Sequence, residues 1–326
     1  MLRIGILGAA GIAPNAIIRP VSRRDDAEIV AVASRSASSA EGYAAEHGIA
    51  RHYGDYSAML ADPDIDLVYN ALPPSQHARW SIAALEAGKH VLCEKPFAMS
   101  AAQARLMTAA ASDTGRRLIE AFHDRYHPLS AEISRIVASG RIGDIVSAHA
   151  DFAGSIPFDP RSIRHDPAVG GGSLMDLGCY PVHWLRTLMN AEPRVLDATA
   201  TVNPLGADLT MDASLLFESG AVARMTCSMV EGVELNASLD IEGTAGTLHI
   251  DNLVFPSKGH FVRETRDGVE RNWTVAGLET YDHQLAAVID GLATGERLPT
   301  EGEDSVATMM VIDSIYERAG FDRSSL

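Results

Sequence analysis

The first 122 residues alternate short apolar runs with alanine-rich or amphipathic stretches, and few folds tolerate that order. Leu2–Leu7 ("LRIGIL") is an apolar run of strand length, with a helix following from about Gly11. Residues 28–33 repeat the pattern, with an Ala-rich helix over 37–46. Residues 66–72 ("DLVYNAL") form a third run, and residues 76–87 an amphipathic helix that Gly88 stops. His90–Cys93 is the fourth run; a helix over 101–112 and a fifth run over 117–122 complete the series. Continuous apolar runs mark strands buried on both faces, and strand–helix–strand repeats lay such strands parallel with helices above and below. The prediction is an α/β domain with a doubly wound parallel sheet.

The pattern changes after Phe122. A helix is expected over 130–139 and a strand over 145–152. A long loop rich in Pro, Gly and Asp then covers Gly154–Gly172, and loops of that length in a compact domain are usually functional or disordered. Ser173 is the expected N-cap of a helix running to about Asn190. Further on, Leu235, Ala237, Leu239 and Ile241 alternate with Asn236, Ser238, Asp240 and Glu242, and residues 221–229 behave similarly. One apolar and one polar face describe an antiparallel sheet covered on one side. Helices over 279–293 and 304–317 close the chain. The expected division is an α/β domain over 1–122 and an α+β domain over 123–326, with the last helix a candidate to pack back on the first domain.

The net charge of −16, from 27 Lys and Arg against 43 Asp and Glu, argues against a nucleic-acid partner and leaves room for a local basic pocket. Hydrophobic residues at 46% supply a large core. Cys93, Cys179 and Cys227 form no CxxC pair, which fits buried thiols in a reducing, cytoplasmic setting. The opening "MLRIGILGAAGIA" imitates a secretory leader faintly, but its glycines stand where a strand-to-helix turn needs them, and no leader is expected. No membrane span and no metal site are expected.

Three motifs carry chemistry. In "RIGILGAAGIA", Gly8, Ala10 and Ala13 occupy the positions of a GxGxxG/A turn, with Gly11 and Ile12 between them. Small residues there let a pyrophosphate approach backbone N–H groups at a helix start, so the turn is a dinucleotide candidate, although Ala10 departs from the strict pattern. At the end of the second run stand Ser34 and Arg35. No carboxylate is present there to repel a ribose 2′-phosphate, and an arginine can pair with it, which favours NADP over NAD. Ligands of open parallel sheets sit beyond the carboxyl ends of strands, which places Gly8, Ser34, Pro73 and Lys95 on one cofactor edge. In "GGGSLMDLGCYPVHWLR", Asp176, Tyr180 and His183 fall on one face of an ideal helix, a carboxylate, a phenol and an imidazole suited to proton transfer. The competing reading, amphipathic core with satisfied polar tips, weighs more for His183, furthest from the helix start, than for Asp176 and Tyr180.

In this order, "GAAGIA", "LPPSQH" at 72–77, "CEKP" at 93–96 and "GGGSLMDLGCY" at 170–180 resemble the glucose-fructose oxidoreductase/inositol dehydrogenase (Gfo/Idh/MocA) family along the whole chain. The resemblance implies a Rossmann domain, a second domain with a large, mostly antiparallel sheet, a nicotinamide cofactor, and homodimers or homotetramers through the open sheet face. It implies that Leu72, Pro73, His77 and Glu94 line the cofactor edge, that Lys95 lies near nicotinamide and substrate, and that the Lys95–Pro96 peptide is cis. Tyr180 stands where the inositol-dehydrogenase branch has His. With "EAFHDRYHP" at 120–128, this is similar to the branch holding dihydrodiol and xylose dehydrogenases, and puts Arg125 and His127 at the active site.

The expected reaction is a reversible hydride transfer between NADP and a secondary alcohol or hemiacetal carbon of a sugar-like molecule or diol. Lys95, Asp176 and Tyr180 would be its catalytic set. Tyr180, a phenol with an ordinary pKa of about 10, would exchange the hydroxyl proton under the positive field of Lys95. Asp176 would hold the substrate hydroxyl, and His183 would be a reserve base. Arg125 and Arg164 would contact substrate; Arg161, Arg164 and His165 in the long loop read equally as substrate contacts and as solvated loop residues. Two alternatives stay open: cleavage of a glycosidic bond through transient oxidation, and a non-catalytic NADP sensor.

Overall fold

The computed structural model describes residues 1–323. The chain forms two compact units. One holds Met1–Phe122 and Tyr281–Val306; the other holds His123–Thr280 and the chain from Ala307 onward. The expected single division at residue 122 therefore misplaces residues 281–306. The expected second domain also included residues 324–326, which lie outside the described residues.

The first unit runs β1 (Leu2–Leu7), a π-helical turn at Pro14–Ile18 continuing into α1 (Arg19–Ser22), β2 (Ala27–Ala33), α2 (Ala37–His47), β3 (Arg51–Tyr53) and α3 (Tyr56–Leu60). It continues with β4 (Leu67–Asn70), α4 (Pro74–Glu86), β5 (His90–Cys93), α5 (Ala101–Thr114) and β6 (Leu118–Glu120). The strands order as β3-β2-β1-β4-β5-β6, all parallel. The sheet has six strands rather than the five expected. Arg51–Tyr53 is a three-residue edge strand with no apolar run, so nothing in its composition announces it. Ile4, Ile6, Leu67, Val68, Val91 and Leu92 are fully buried along the central strands, each such side chain contributing about 1.5–3 kcal/mol.

Arg117 explains why residues 281–306 join this unit. Its guanidinium donates to Glu301 Oε1 at 2.7 Å, the Gly291 carbonyl at 2.7 Å and the Glu296 carbonyl at 2.9 Å. Beside it, Glu120 N–H donates to the Thr300 carbonyl, and the Thr300 hydroxyl donates back to the Glu120 carbonyl.

The second unit carries α6 (Pro128–Ala138), β7 (Ile145–Ala153), a π-helical turn at Leu174–Gly178 running into α7 (Cys179–Met189), β8 (Arg194–Val202), β9 (Asp208–Leu216) and β10 (Val222–Ser228). Then come β11 (Asn236–Gly243), β12 (Gly246–Asp251), β13 (Phe261–Arg266) and β14 (Val269–Trp273). The chain crosses at the start of α8 (Thr280–Thr294) and again within α9 (Glu303–Arg318). The eight-stranded sheet orders as β14-β13-β12-β11-β7-β10-β9-β8. Only the β7–β10 pairing is parallel. On β11, Ala237, Leu239 and Ile241 are buried while Asp240 and Glu242 are exposed. Leu235, expected on the apolar face, precedes the strand and is 66% exposed.

Both π-turns have a local cause. A proline clashes with the carbonyl of the residue four back and has no N–H to give it, so a helix approaching a proline must widen or bend. For Pro20 that residue is Ala16, and for Pro181 it is Leu177; each lies inside a π-turn. The three cysteines are buried thiols with no disulfide. Among the described residues no helix is long and apolar enough to cross a membrane.

Candidate active site

In the order β3-β2-β1-β4-β5-β6, the chain winds one way from β1 to β3 and the other way from β4 to β6. Crossovers diverge at β1 and β4, leaving a crevice beyond their carboxyl ends. Gly8 stands there at φ +99°, where a Cβ would meet Leu72 Cδ2 at 3.1 Å and the Ala71 carbonyl at 3.4 Å. Only glycine makes this turn without strain. A Cβ on Gly11 would meet nothing within 4 Å, so the turn's outer side is open. Ala10 is pinned from behind, its carbonyl accepting the Tyr43 hydroxyl at 3.1 Å, and burial pushes the Tyr43 phenol up to about 12. Ile12 accepts Ala16 N–H at its carbonyl and opens the π-turn. A close, open backbone turn at the switch point fits a dinucleotide pyrophosphate.

The remaining edge residues divide into those that face the crevice and those that build it. Ser34 and the exposed Arg35 follow β2, with Ser34 N–H on the Tyr53 carbonyl. Pro73 caps α4. His77, expected to line the cofactor edge, is buried at 1% exposure. Its ring nitrogens lie 2.7 Å from the Leu72 carbonyl and 3.0 Å from the Pro96 carbonyl. Burial lowers its pKa. His77 is therefore a strut joining two loops of the edge. Glu94 is also buried and accepts the Tyr69 hydroxyl at 2.6 Å. Lys95 is half-buried, and the Lys95–Pro96 peptide is cis.

In the second unit, Gly171 and Gly172 are crowded. A Cβ on Gly171 would lie 2.5 Å from the Ile163 carbonyl, and one on Gly172 would overlap the Asp208 carboxylate. Ser173 does not cap the helix. Its hydroxyl donates to Asp208 Oδ2 at 2.7 Å, and the same oxygen accepts Leu174 N–H at 2.6 Å. Tyr316 O–H donates to Asp208 Oδ1 at 2.8 Å. Asp208 thus anchors the helix start, and its burial raises its own pKa despite these donors.

Asp176 sits within the π-turn and pairs with Arg164, Oδ2 to Nη1 at 3.4 Å, with the arginine 52% and the carboxylate 16% exposed. Residues four apart across a π-turn do not stack as in an ideal helix, so the single face expected for Asp176, Tyr180 and His183 is modified here. Tyr180, 3% exposed, places its hydroxyl 3.0 Å from His123 Nε2, and His123 Nδ1 lies 2.7 Å from Thr280 Oγ1. His123 belongs to the "EAFHDRYHP" segment together with Arg125 and His127, and that segment is the one sequence signal that points to it. His183 and Arg125 are brought together instead at a cavity of about 30 Å³, room for about one water. Arg125 Nη1 also donates to Ser130 Oγ. His127 caps α6, its Nδ1 accepting Leu129 N–H. Arg161 pairs with Asp159 on the surface, and buried His165 holds the loop through the Pro157 carbonyl.

The sheet order and its glycine turn define the class: a Rossmann-type dinucleotide-binding protein with a second α+β unit. Residues 2–122 match the family model described as an oxidoreductase family with an NAD-binding Rossmann fold, and residues 130–249 match the GFO/IDH/MocA C-terminal domain. The chain belongs to the Gfo/Idh/MocA family. It is 35% identical over 331 residues to D-xylose 1-dehydrogenase (NADP(+)) 2 of Haloferax volcanii, covering 98% of this chain and 97% of that one. It is 34% identical over 224 residues to trans-1,2-dihydrobenzene-1,2-diol dehydrogenase of Danio rerio, covering 68% and 66% of the two chains. A 3-ketoreductase from Actinomadura kijaniata, solved with NADP and TDP-benzene, superposes with a TM-score of 0.89 at 27% identity, covering 97% of each chain. The protein is an NAD(P)-binding oxidoreductase of this family.

Proposed function

We propose that the protein transfers a hydride between NADP and a secondary alcohol or hemiacetal carbon of a sugar-like molecule or diol. The observation that carries the reading is the Gly8 turn at the β1/β4 switch point, a cradle that a side chain would fill. The activities of the relatives supply the substrate class. Gly8, Ala10, Gly11 and Ile12 would hold the pyrophosphate, and Ser34 with Arg35 the adenosine end. Leu72, Pro73 and Lys95 would line the nicotinamide end, with His77 and Glu94 shaping it.

The nicotinamide, when bound, supplies the hydride chemistry. Lys95 orients the substrate hydroxyl and supplies positive charge. Tyr180 exchanges the hydroxyl proton through Oη. Asp176 accepts a hydrogen bond from a substrate hydroxyl, with Arg164 holding the carboxylate between turnovers. Arg125 and His183 support the substrate side from their water-sized cavity. A homodimer or homotetramer through the outer face of the eight-stranded sheet belongs to the same reading. That face carries an open groove lined by Ser147, His149, Arg224 and Asp240, with Val222 exposed at its side. A reducing compartment such as the cytoplasm fits the three buried thiols.

The test is a screen of sugars, diols and dicarbonyls followed by nicotinamide absorbance, then kinetics of Lys95→Ala and Tyr180→Phe. Each is expected to lower kcat by about 10²–10⁴-fold with the fold intact. Near-normal turnover in both variants would overturn the assignment.

A further inference from the structure

We infer that His123 is a positioning residue that holds the Tyr180 hydroxyl and takes its proton, with Thr280 fixing the tautomer that makes this possible. The inference rests on the oxidoreductase reading above. Three buried groups form one line: Tyr180 Oη to His123 Nε2 at 3.0 Å, and His123 Nδ1 to Thr280 Oγ1 at 2.7 Å. All three are at most 3% exposed. A neutral imidazole carries one N–H, so one ring nitrogen donates and the other accepts. Thr280 can accept from Nδ1–H, which leaves Nε2 as the acceptor for the Tyr180 O–H. The ring plane is set by its neighbours, the Tyr180 ring at 5.8 Å and the Phe255 ring at 6.3 Å between centroids.

A phenol is a weak base until it has lost its proton, and at neutral pH it needs a neighbour to take that proton. In the oxidation direction the nicotinamide, when bound, would accept the hydride, and the substrate hydroxyl gives its proton to Tyr180 Oη. The phenol's own proton passes to His123 Nε2. Once the carbonyl compound has formed, the proton rests on His123 as an imidazolium that donates to both Tyr180 and Thr280. Reduction runs the same transfers backwards. Charged or titratable groups on the segments that carry the imidazole and its partners include Asp124, Arg125 and His127 on its own segment, Tyr180 and His183 on α7, Glu279 next to Thr280, and Lys258 over the Phe255 ring. Asp124 is engaged by Trp184 Nε1 at 2.6 Å, so its carboxylate stabilises the segment that carries the imidazole.

His123→Gln keeps a hydrogen-bonding side chain and cannot titrate. Its kcat is expected to fall by about 10²-fold with KM little changed, and to rise with pH where the wild type is level. A kcat within about twofold of wild type and an unchanged pH profile would overturn the inference. A second measurement needs no turnover: long-range ¹H–¹⁵N spectra of histidine-labelled protein. The Nδ1–H tautomer at His123 is expected, with its titration shifted in Tyr180→Phe. An Nε2–H tautomer would overturn the inference, because that ring donates to Tyr180. Absence of turnover on the whole substrate panel would sink the oxidoreductase reading, while the spectra would still decide the place of His123.

Discussion

A single side chain at the end of β2 is expected to decide between two cofactors. Ser34 leaves the adenosine end without a carboxylate, and Arg35 beside it is exposed. Ser34→Asp would set a negative charge where the proposed NADP would carry its 2′-phosphate and would offer an acceptor to a bare ribose. The kcat/KM ratio for NADP over NAD is expected to fall by about 10²-fold, equivalent to about 3 kcal/mol. A ratio unchanged by Ser34→Asp and by Arg35→Ala would mean that the adenosine end is read elsewhere. Residue types at strand ends were legible in the sequence because parallel strands announce their own ends. What a side chain touches was not. Ser173 looked like a cap, yet the anchor is Asp208, 35 residues later. His77 also joins two loops, through the Leu72 and Pro96 carbonyls. His123 was passed over because its partners, Tyr180 and Thr280, are 57 and 157 residues away.

At the level of elements, the two prolines near the chemical motifs deserve the same reading. Pro181→Ala would restore an N–H able to bond the Leu177 carbonyl and remove the ring that clashes with it. The turn at 174–178 is expected to close toward α-helical spacing and to move Asp176, lowering kcat by about 10²-fold without lowering the melting temperature. A crystal structure and steady-state kinetics of the variant check both halves; a retained wide turn with normal kcat would show that Gly178, packed against Cys227 and Met225, holds the turn open instead. Helices and buried strands were legible from their periods. The three-residue β3 was not, and neither was the widening of a helix two or three residues ahead of a proline.

For the whole molecule, the division of the chain is the feature that pattern alone could not supply. Residues 281–306 read as an ordinary helix and loop, and their place with the first unit depends on Arg117, a residue more than 170 positions earlier. The pair is partly buried, so breaking it costs less than the ~3–5 kcal/mol of a fully buried ion pair. Arg117→Ala is therefore expected to loosen β6 and its neighbour β5 first, which hydrogen exchange would register as faster opening of residues 90–93 and 118–120. Equal acceleration throughout the chain would mean that the two units open together. The fold class was legible because both sheets obey their hydrophobic periods; the route of the chain between the units was not, because guanidinium–carbonyl contacts leave no periodic trace.

The cysteines turn this into something that can be timed. Cys93 ends a strand of the first unit, while Cys179 and Cys227 lie in the second. Burial raises the pKa of the Cys93 and Cys227 thiols well above the usual range, so neither reacts while its surroundings stay shut. Each unit thus carries its own built-in clock, started only when that unit breathes. A thiol reagent added to the native protein, with each modified cysteine located by peptide mass, times the two openings separately without any mutation.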